Sequence, residues 1–231
     1  MDLRQIEANL KSRIKKQSHL GLWRALYDLY RELDTLRRHL KGVRDARKYA
    51  NATALKLNIG CGDNYKGGWL NIDRSGRVDL QLDIREPIPL PDESAQLIYS
   101  EHFLEHLDYP QEAKRFINES FRVLNPGGTF SVGVPDTLWP LLDYINEGND
   151  GYFEFAKSLH PEWCKTRMEH INFHFRQGTE HRFAYDFETL EYLLKEAGFG
   201  EIRQREFDPH LDSSESCALG TLYIDALKPN T

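Results

Sequence analysis

Cysteine is scarce in this sequence: three residues in 231, Cys61, Cys164 and Cys217, far apart and odd in number. They supply neither a disulfide framework nor a metal-binding cysteine motif, so no metal is expected and a reducing cytoplasm is the expected compartment. Long apolar runs are missing too. None reaches the roughly 18 residues of a membrane-crossing helix, and charges interrupt the first residues too often for the apolar core of a secretion signal. Internal repeats and low-complexity tracts are absent, which excludes solenoids and disordered linkers. What is present is 40% hydrophobic and 12% aromatic residues, enough for a globular core.

The net charge of −6 is unevenly spread. Residues 1–50 carry 13 Lys/Arg against 6 Asp/Glu, while the remainder carries 17 against 30. An acidic main body excludes broad nucleic-acid binding by that part, and none is expected. The basic segment needs its own explanation.

That segment, 1–50, reads as a helical extension ahead of a domain at 51–231. Leu3, Ile6 and Leu10 begin an apolar stripe. After a break at Gln17–Gly21, Leu22, Leu26, Leu29, Leu33, Leu36, Leu40 and Val43 alternate spacings of four and three, a heptad seam about three repeats long. Three readings follow: the stripe packs on the chain's own domain, it pairs with a second copy as a homodimer, or it lies on an anionic membrane surface with its basic flanks outward.

From Leu55 onward apolar runs alternate with amphipathic ones, which implies a mainly parallel α/β sheet. Strands are expected near 55–59, 69–73, 78–82, 95–100, 128–134, 201–207 and 221–227. A helix is expected from Pro110 to Leu124, with Ala113, Phe116, Ile117, Phe121 and Leu124 on one face. Asn125-Pro126-Gly127-Gly128 should stop it. Asp186 can cap another, carrying Leu190, Leu193 and Leu194 and ending at Gly198. Between about 135 and 185 lies a stretch rich in His, Trp, Tyr and Phe. It is too long for a plain connection and is expected to form a lid-like insertion.

The chemistry gathers at Leu55-Lys56-Leu57-Asn58-Ile59-Gly60-Cys61-Gly62. Alternating apolar residues end in Gly-x-Gly, a buried strand entering a tight turn. Glycine at 62 leaves no side chain between a ligand and the backbone. The next apolar run ends in an acid, Asp73. Strand, glycine turn, strand and terminal acid describe a nucleoside site, with the carboxylate on the ribose hydroxyls. Only 13 residues separate Gly60 from Asp73, against about 20 in the dinucleotide pattern, and Asp63–Gly68 is too short for a full helix. Tyr65 stands where the dinucleotide fingerprint wants its third glycine.

Leu57–Gly62 resembles the first motif of class I S-adenosylmethionine-dependent methyltransferases. Leu82-Asp83-Ile84, Ile98–His102 and Phe121–Gly128 resemble later motifs of that family, in order, and the likeness runs over roughly 55–228. The chain resembles the predicted methyltransferases associated with bacterial surface-polysaccharide and sugar modification. The resemblance implies a Rossmann-like doubly wound mixed sheet of seven strands behind the N-terminal extension, with S-adenosyl-L-methionine as cofactor. It implies that Asn58, Gly60, Cys61 and Gly62 approach the cofactor and Asp73 its ribose. Asp83 and Ile84 would hold the adenine, and Ser100 and Glu101 would lie beside the sulfonium. Members of this kind act on sugar and glycan hydroxyls, so O-methylation of a sugar, glycan or small molecule is expected.

A rival motif overlaps the same region. His102-Phe103-Leu104-Glu105-His106 spells the inverted zinc-peptidase signature, which on a helix would place both histidines on one face with Glu105 as base. A zinc hydrolase is therefore an alternative, as is an adaptor that works through the heptad helix and keeps a vestigial nucleoside fold. His170 and His174 share helical spacing and read as a surface or satisfied core pair. His102 and His181 are the candidates for a general base, since imidazole titrates near neutrality.

Overall fold

The computed structural model describes residues 8–9, 11–12, 20–146, 148–213 and 218–230. Leu3, Ile6, Leu10 and Cys217 lie outside them. Seven strands form one sheet: β1 Leu55–Ile59, β2 Leu70–Asp73, β3 Leu80–Gln81, β4 Ala95–Glu101, β5 Leu124–Pro135, β6 Gly200–Arg205 and β7 Thr221–Leu227. Their order is β3-β2-β1-β4-β5-β7-β6. The first five run parallel, and β7 inserts antiparallel to both β5 and β6. The helices are α1 Leu20–Ala46, α2 Gln111–Val123, α3 Leu138–Ile145, α4 Gly151–Leu159, α5 Arg167–Arg176 and α6 Phe187–Glu196. This is the expected Rossmann-like sheet, with helices on both faces.

The core follows the apolar pattern. Leu57, Ile59, Ile72, Ile98 and Phe130 of the strands are fully buried with Phe116 and Ile117 of α2 and Leu190 and Leu194 of α6. Asp186 caps α6 by accepting from the Thr189 amide. Residues 111–123 are helical, but β5 starts four residues earlier than the glycines suggest. Leu124 pairs with Ala95, and the register then shifts so that Leu97 pairs with Thr129. Asn125-Pro126-Gly127-Gly128 is thus a bulge within the strand, because the residue before proline favours extended backbone over helix.

The long helix α1 docks on its own domain, but not by its leucines. Gly42 meets the Gln81 carbonyl so closely that a Cβ there would lie 2.1 Å from it. Val43 and Ala46 join the main core. The Asp83 amide donates to His39 Nδ1 at 3.2 Å, and Glu32 pairs with Arg85 at 2.6 Å. The seam residues Leu22, Leu26, Leu29, Leu33, Leu36 and Leu40 face outward, 38–58% exposed. The expectation that this stripe packs on the domain therefore holds at Val43 and is overturned for the six leucines. Small residues allow the approach to the backbone of the sheet's edge strand that a leucine face would prevent. No described helix is long and apolar enough to cross a membrane.

Candidate active site

The sheet order reverses between β1 and β4, since β2 and β3 continue to one side and β5 to the other. In such sheets the ligand crevice lies at the carboxyl ends of the strands flanking that point. A cleft of about 320 Å³ opens there, lined by Asn58, Gly60 and Cys61 from the end of β1, Asn64, Tyr99, Glu101 and His102 from the end of β4, and Ser213.

The glycine turn is built for close approach. Gly60 has φ +69° and Gly62 φ +50°, a region costly for any residue with a Cβ. A Cβ on Gly60 would also strike the Phe103 ring at 2.4 Å, whereas one on Gly62 meets nothing within 4 Å. The Gly62 amide donates to Asp73 Oδ2 at 3.0 Å and the Ser75 amide to Oδ1 at 3.1 Å. Cys61 is buried, and burial together with Asp73 pushes its thiol up to about 11, so it stays protonated.

Two buried asparagines hold the short connection from β1 to β2. Asn58 Nδ2 donates to the Asn64 carbonyl at 2.7 Å and to Asn71 Oδ1 at 2.9 Å. Asn71 in turn bonds Lys66 and Asp79. No helix forms between residues 60 and 69. Across the cleft, Glu101 accepts from Tyr223 Oη at 2.8 Å and from the Ser213 hydroxyl and amide. Lys66 reaches over to the Leu211 carbonyl, and burial lowers its ammonium pKa despite Glu101 and Asp212. Arg205 grips Asp212 with two bonds of 2.6 and 2.7 Å, fixing this loop to the sheet.

Other expected residues lie elsewhere. Ser100 is fully buried and does not line the cleft. Asp83 and Ile84 do not line it either. The Asp83 carboxylate is engaged by Arg85, with bonds of 2.7 to 3.1 Å. The inverted zinc-peptidase arrangement does not form as expected. His102 takes φ +50° at the strand end, and Leu104–His106 is a single 3-10 turn, so no α-helix carries His102 and His106 on one face.

A different cluster forms around Glu105. Its carboxylate is buried, with no hydrogen bond to either oxygen among the described residues. His102 Nδ1 lies 3.5 Å from Glu105 Oε1, and His106 Nε2 lies 3.9 Å from it. His181 packs edge-on to His106, ring centroids 5.0 Å apart. His181 Nδ1 faces the His174 carbonyl at 3.1 Å, so Nδ1 carries the proton and Nε2 the lone pair. His102 Nε2 is instead 3.1 Å from Thr221 Oγ1. Burial lowers the His181 pKa, with Glu105 working against that shift. A second, small cavity is lined by Glu105, Thr137, His174, His181 and Tyr185 among others. His102 and Glu105 thus stand between this cavity and the main cleft. Glu105 was singled out by sequence reasoning only as the base of a zinc motif, and Tyr99, Asn71 and Ser213 were given no role in the site; the polar Asn71 in an apolar strand was the one visible signal for these three.

Residues 64–132 match the family model described as a methyltransferase domain. That stretch of the chain is similar to a methyltransferase domain. A curated protein of Mycolicibacterium smegmatis, described as a "probable S-adenosylmethionine-dependent methyltransferase", is 37% identical over 65 residues. The match spans 28% of this chain and 24% of that protein, so the chain matches about a quarter of the length of this relative. Among solved structures, a SAM-dependent methyltransferase from Archaeoglobus fulgidus superposes with a TM-score of 0.50 at 18% identity. That alignment covers 86% of this chain and 94% of the other, a likeness of fold.

The cleft suits S-adenosylmethionine, the cofactor that this likeness implies, in charge as well as shape. Glu101 brings a carboxylate to its lining, and Asp73 adds a second beside the glycine turn, held by the Gly62 amide. A sulfonium nucleoside is cationic and lacks phosphate, whereas a dinucleotide's pyrophosphate needs a helix N-terminus after the glycine turn. Here that helix is missing.

Proposed function

We propose that the chain transfers a methyl group from S-adenosylmethionine to a hydroxyl of a sugar, glycan or other small molecule. The observation that carries the reading is the acidic glycine-turn cleft at the switch point, adjoining the buried Glu105 and its imidazoles. When bound, the cofactor supplies an electrophilic methyl group on a cationic sulfur. Asp73 holds the ribose hydroxyls while its bond to Gly62 keeps the turn open. Glu101, anchored by Tyr223, sets a negative charge beside the cationic portion. Asp83 and Ile84 remain the adenine-side residues of the proposal, with Asp83 steadied by Arg85.

His181 is the better of the two base candidates. Its Nε2 carries a lone pair, its lowered pKa keeps it neutral at pH 7, and the Glu105 carboxylate stabilises the imidazolium formed when it takes the acceptor's proton. His102 must first leave Thr221, and its place beside the cleft suits positioning of the acceptor. The helices between β5 and α6 act as the cover that excludes water from the reacting atoms. The outward leucine seam of α1 pairs two copies, and the basic excess of residues 1–50 favours an anionic or lipid-linked acceptor at the inner membrane face.

Incubation of the full chain with cofactor labelled in its methyl group and a panel of sugars, nucleotide sugars and small alcohols tests this. Label recovered in an ether-linked methyl supports the reading. Label found only on amines or carboxylates, or nowhere across the panel while the cofactor binds, contradicts it.

A further inference from the structure

Helices α3, α4 and α5 share a second, small core. Tyr152, Phe153, Ala156 and Ile171 are its buried members, with Trp139 and Phe175 packed against them. Four buried side chains are few for three helices, and small units of this kind commonly rely on an added cross-link or metal. At one end of this core three ligand-type side chains converge. His160 follows the last residue of α4, Cys164 sits in the loop, and His170 lies on α5. His160 Nδ1 and His170 Nδ1 face each other at 3.0 Å. The ligand atoms of all three residues lie within 4.8 Å of one another. Cys164 and His170 are buried, and Cys164 is a free thiol. Its sulfur makes only a weak contact, 3.9 Å to the Glu169 carbonyl.

We propose that His160, Cys164 and His170 form a zinc site that ties α4 to α5. Two imidazoles and a thiolate are a borderline-soft set that favours Zn²⁺ over Mg²⁺ or Ca²⁺. Bonds of about 2.0–2.1 Å to nitrogen and 2.3 Å to sulfur in a tetrahedron put ligand atoms roughly 3.3–3.7 Å apart. Separations between 3.0 and 4.8 Å close onto such an ion by side-chain shifts of about 1 Å or less. Binding replaces the S–H bond of Cys164 with a Zn–S bond and releases the proton to solvent. Water or another small ligand completes the fourth position. The zinc would also steady α5 one turn before His174, whose carbonyl holds His181.

The full-length protein, loaded with Zn²⁺ and passed through a desalting column with a weak chelator, tests the site by metal analysis. The expected result is one zinc per chain, falling to less than half in both Cys164→Ser and His170→Ala. Because a variant can fail by misfolding, the wild type is also loaded with Co²⁺. A thiolate-to-cobalt charge-transfer band in the near ultraviolet, with strong visible bands of four-coordinate cobalt, is expected. Wild-type protein that keeps no zinc, or gives no thiolate band, overturns the proposal. So does zinc retained equally by both variants, which would put the ion elsewhere, as at Glu105, His106 and His181. None of these readouts depends on methyl transfer, so failure of the site is distinguishable from failure of the proposed activity.

Discussion

The Gly62 amide and the Asp73 carboxylate are joined by a 3.0 Å hydrogen bond, which makes the glycine turn and the acid at the end of β2 one rigid unit. Asp73→Ala removes both that bond and the group proposed to face the ribose. A hydrogen bond to a charged group contributes about 1.5–3 kcal/mol, so the variant should bind S-adenosylhomocysteine about 10- to 150-fold more weakly by calorimetry. Unchanged affinity would remove Asp73 from the site.

Gly60→Ala should act on folding before it acts on binding. The left-handed backbone costs roughly 1–2 kcal/mol, and the new Cβ meets the Phe103 ring at 2.4 Å. A total on the order of 2–4 kcal/mol corresponds to a fall of roughly 5–15 °C in Tm for a domain of this size. Gly62→Ala, with open space around it, should lose only about 1–2 kcal/mol. Equal losses in the two variants would show that Phe103 does not constrain the turn.

How much of this was legible depends on how local each feature is. The strands Leu55–Ile59 and Thr221–Leu227 and the Asp186 cap stand where alternation and turn chemistry place them, because neighbouring residues decide them. The Gly-x-Gly turn was legible for the same reason. The leucine seam was legible as a helix but not in its direction, since docking is decided by Gly42 fitting the Gln81 carbonyl some forty residues away. Glu105 reads as part of a helical zinc motif until His102 takes a left-handed backbone angle. His181, which joins the same cluster, is far along the chain, and sequence spacing carries no sign of that approach. The His160, Cys164 and His170 convergence is hidden similarly, by a loop whose path no short pattern specifies.

If His181 is the base, the pH profile should report it. The groups facing it are Glu105 and His106 on the turn after β4, His102 at the end of β4 and His174 on α5. Burial lowers its pKa below the ordinary value near 6.5, so the neutral base persists through neutrality. The turnover rate should be flat near pH 7 and fall on acidification as the imidazole protonates. His181→Gln should lower kcat by about 10²–10⁴-fold and abolish that acid limb, with cofactor affinity unchanged. A variant retaining full turnover would leave acceptor positioning as the source of the rate.

The outward leucines make a prediction about assembly. Six leucines at heptad spacing, 38–58% exposed, stand to gain about 1 kcal/mol each when the remaining surface is buried. The chain should run as a dimer by light scattering, twice the 27.0 kDa of one copy. Leu29→Glu with Leu33→Glu should yield a folded monomer, since α1 docks through Gly42 and Ala46 instead. A monomeric wild type at tens of micromolar would contradict a coiled pairing of the kind the heptad spacing favours.

The measurement that bears most directly on the central claim is the melting temperature of the full chain with and without S-adenosylhomocysteine, NAD as comparator. Ligand at about 100 times its dissociation constant adds about 2.7 kcal/mol, on the order of 5–10 °C here. The account predicts that shift with S-adenosylhomocysteine and none with NAD. A flat curve with S-adenosylhomocysteine and a clear shift with NAD would contradict it.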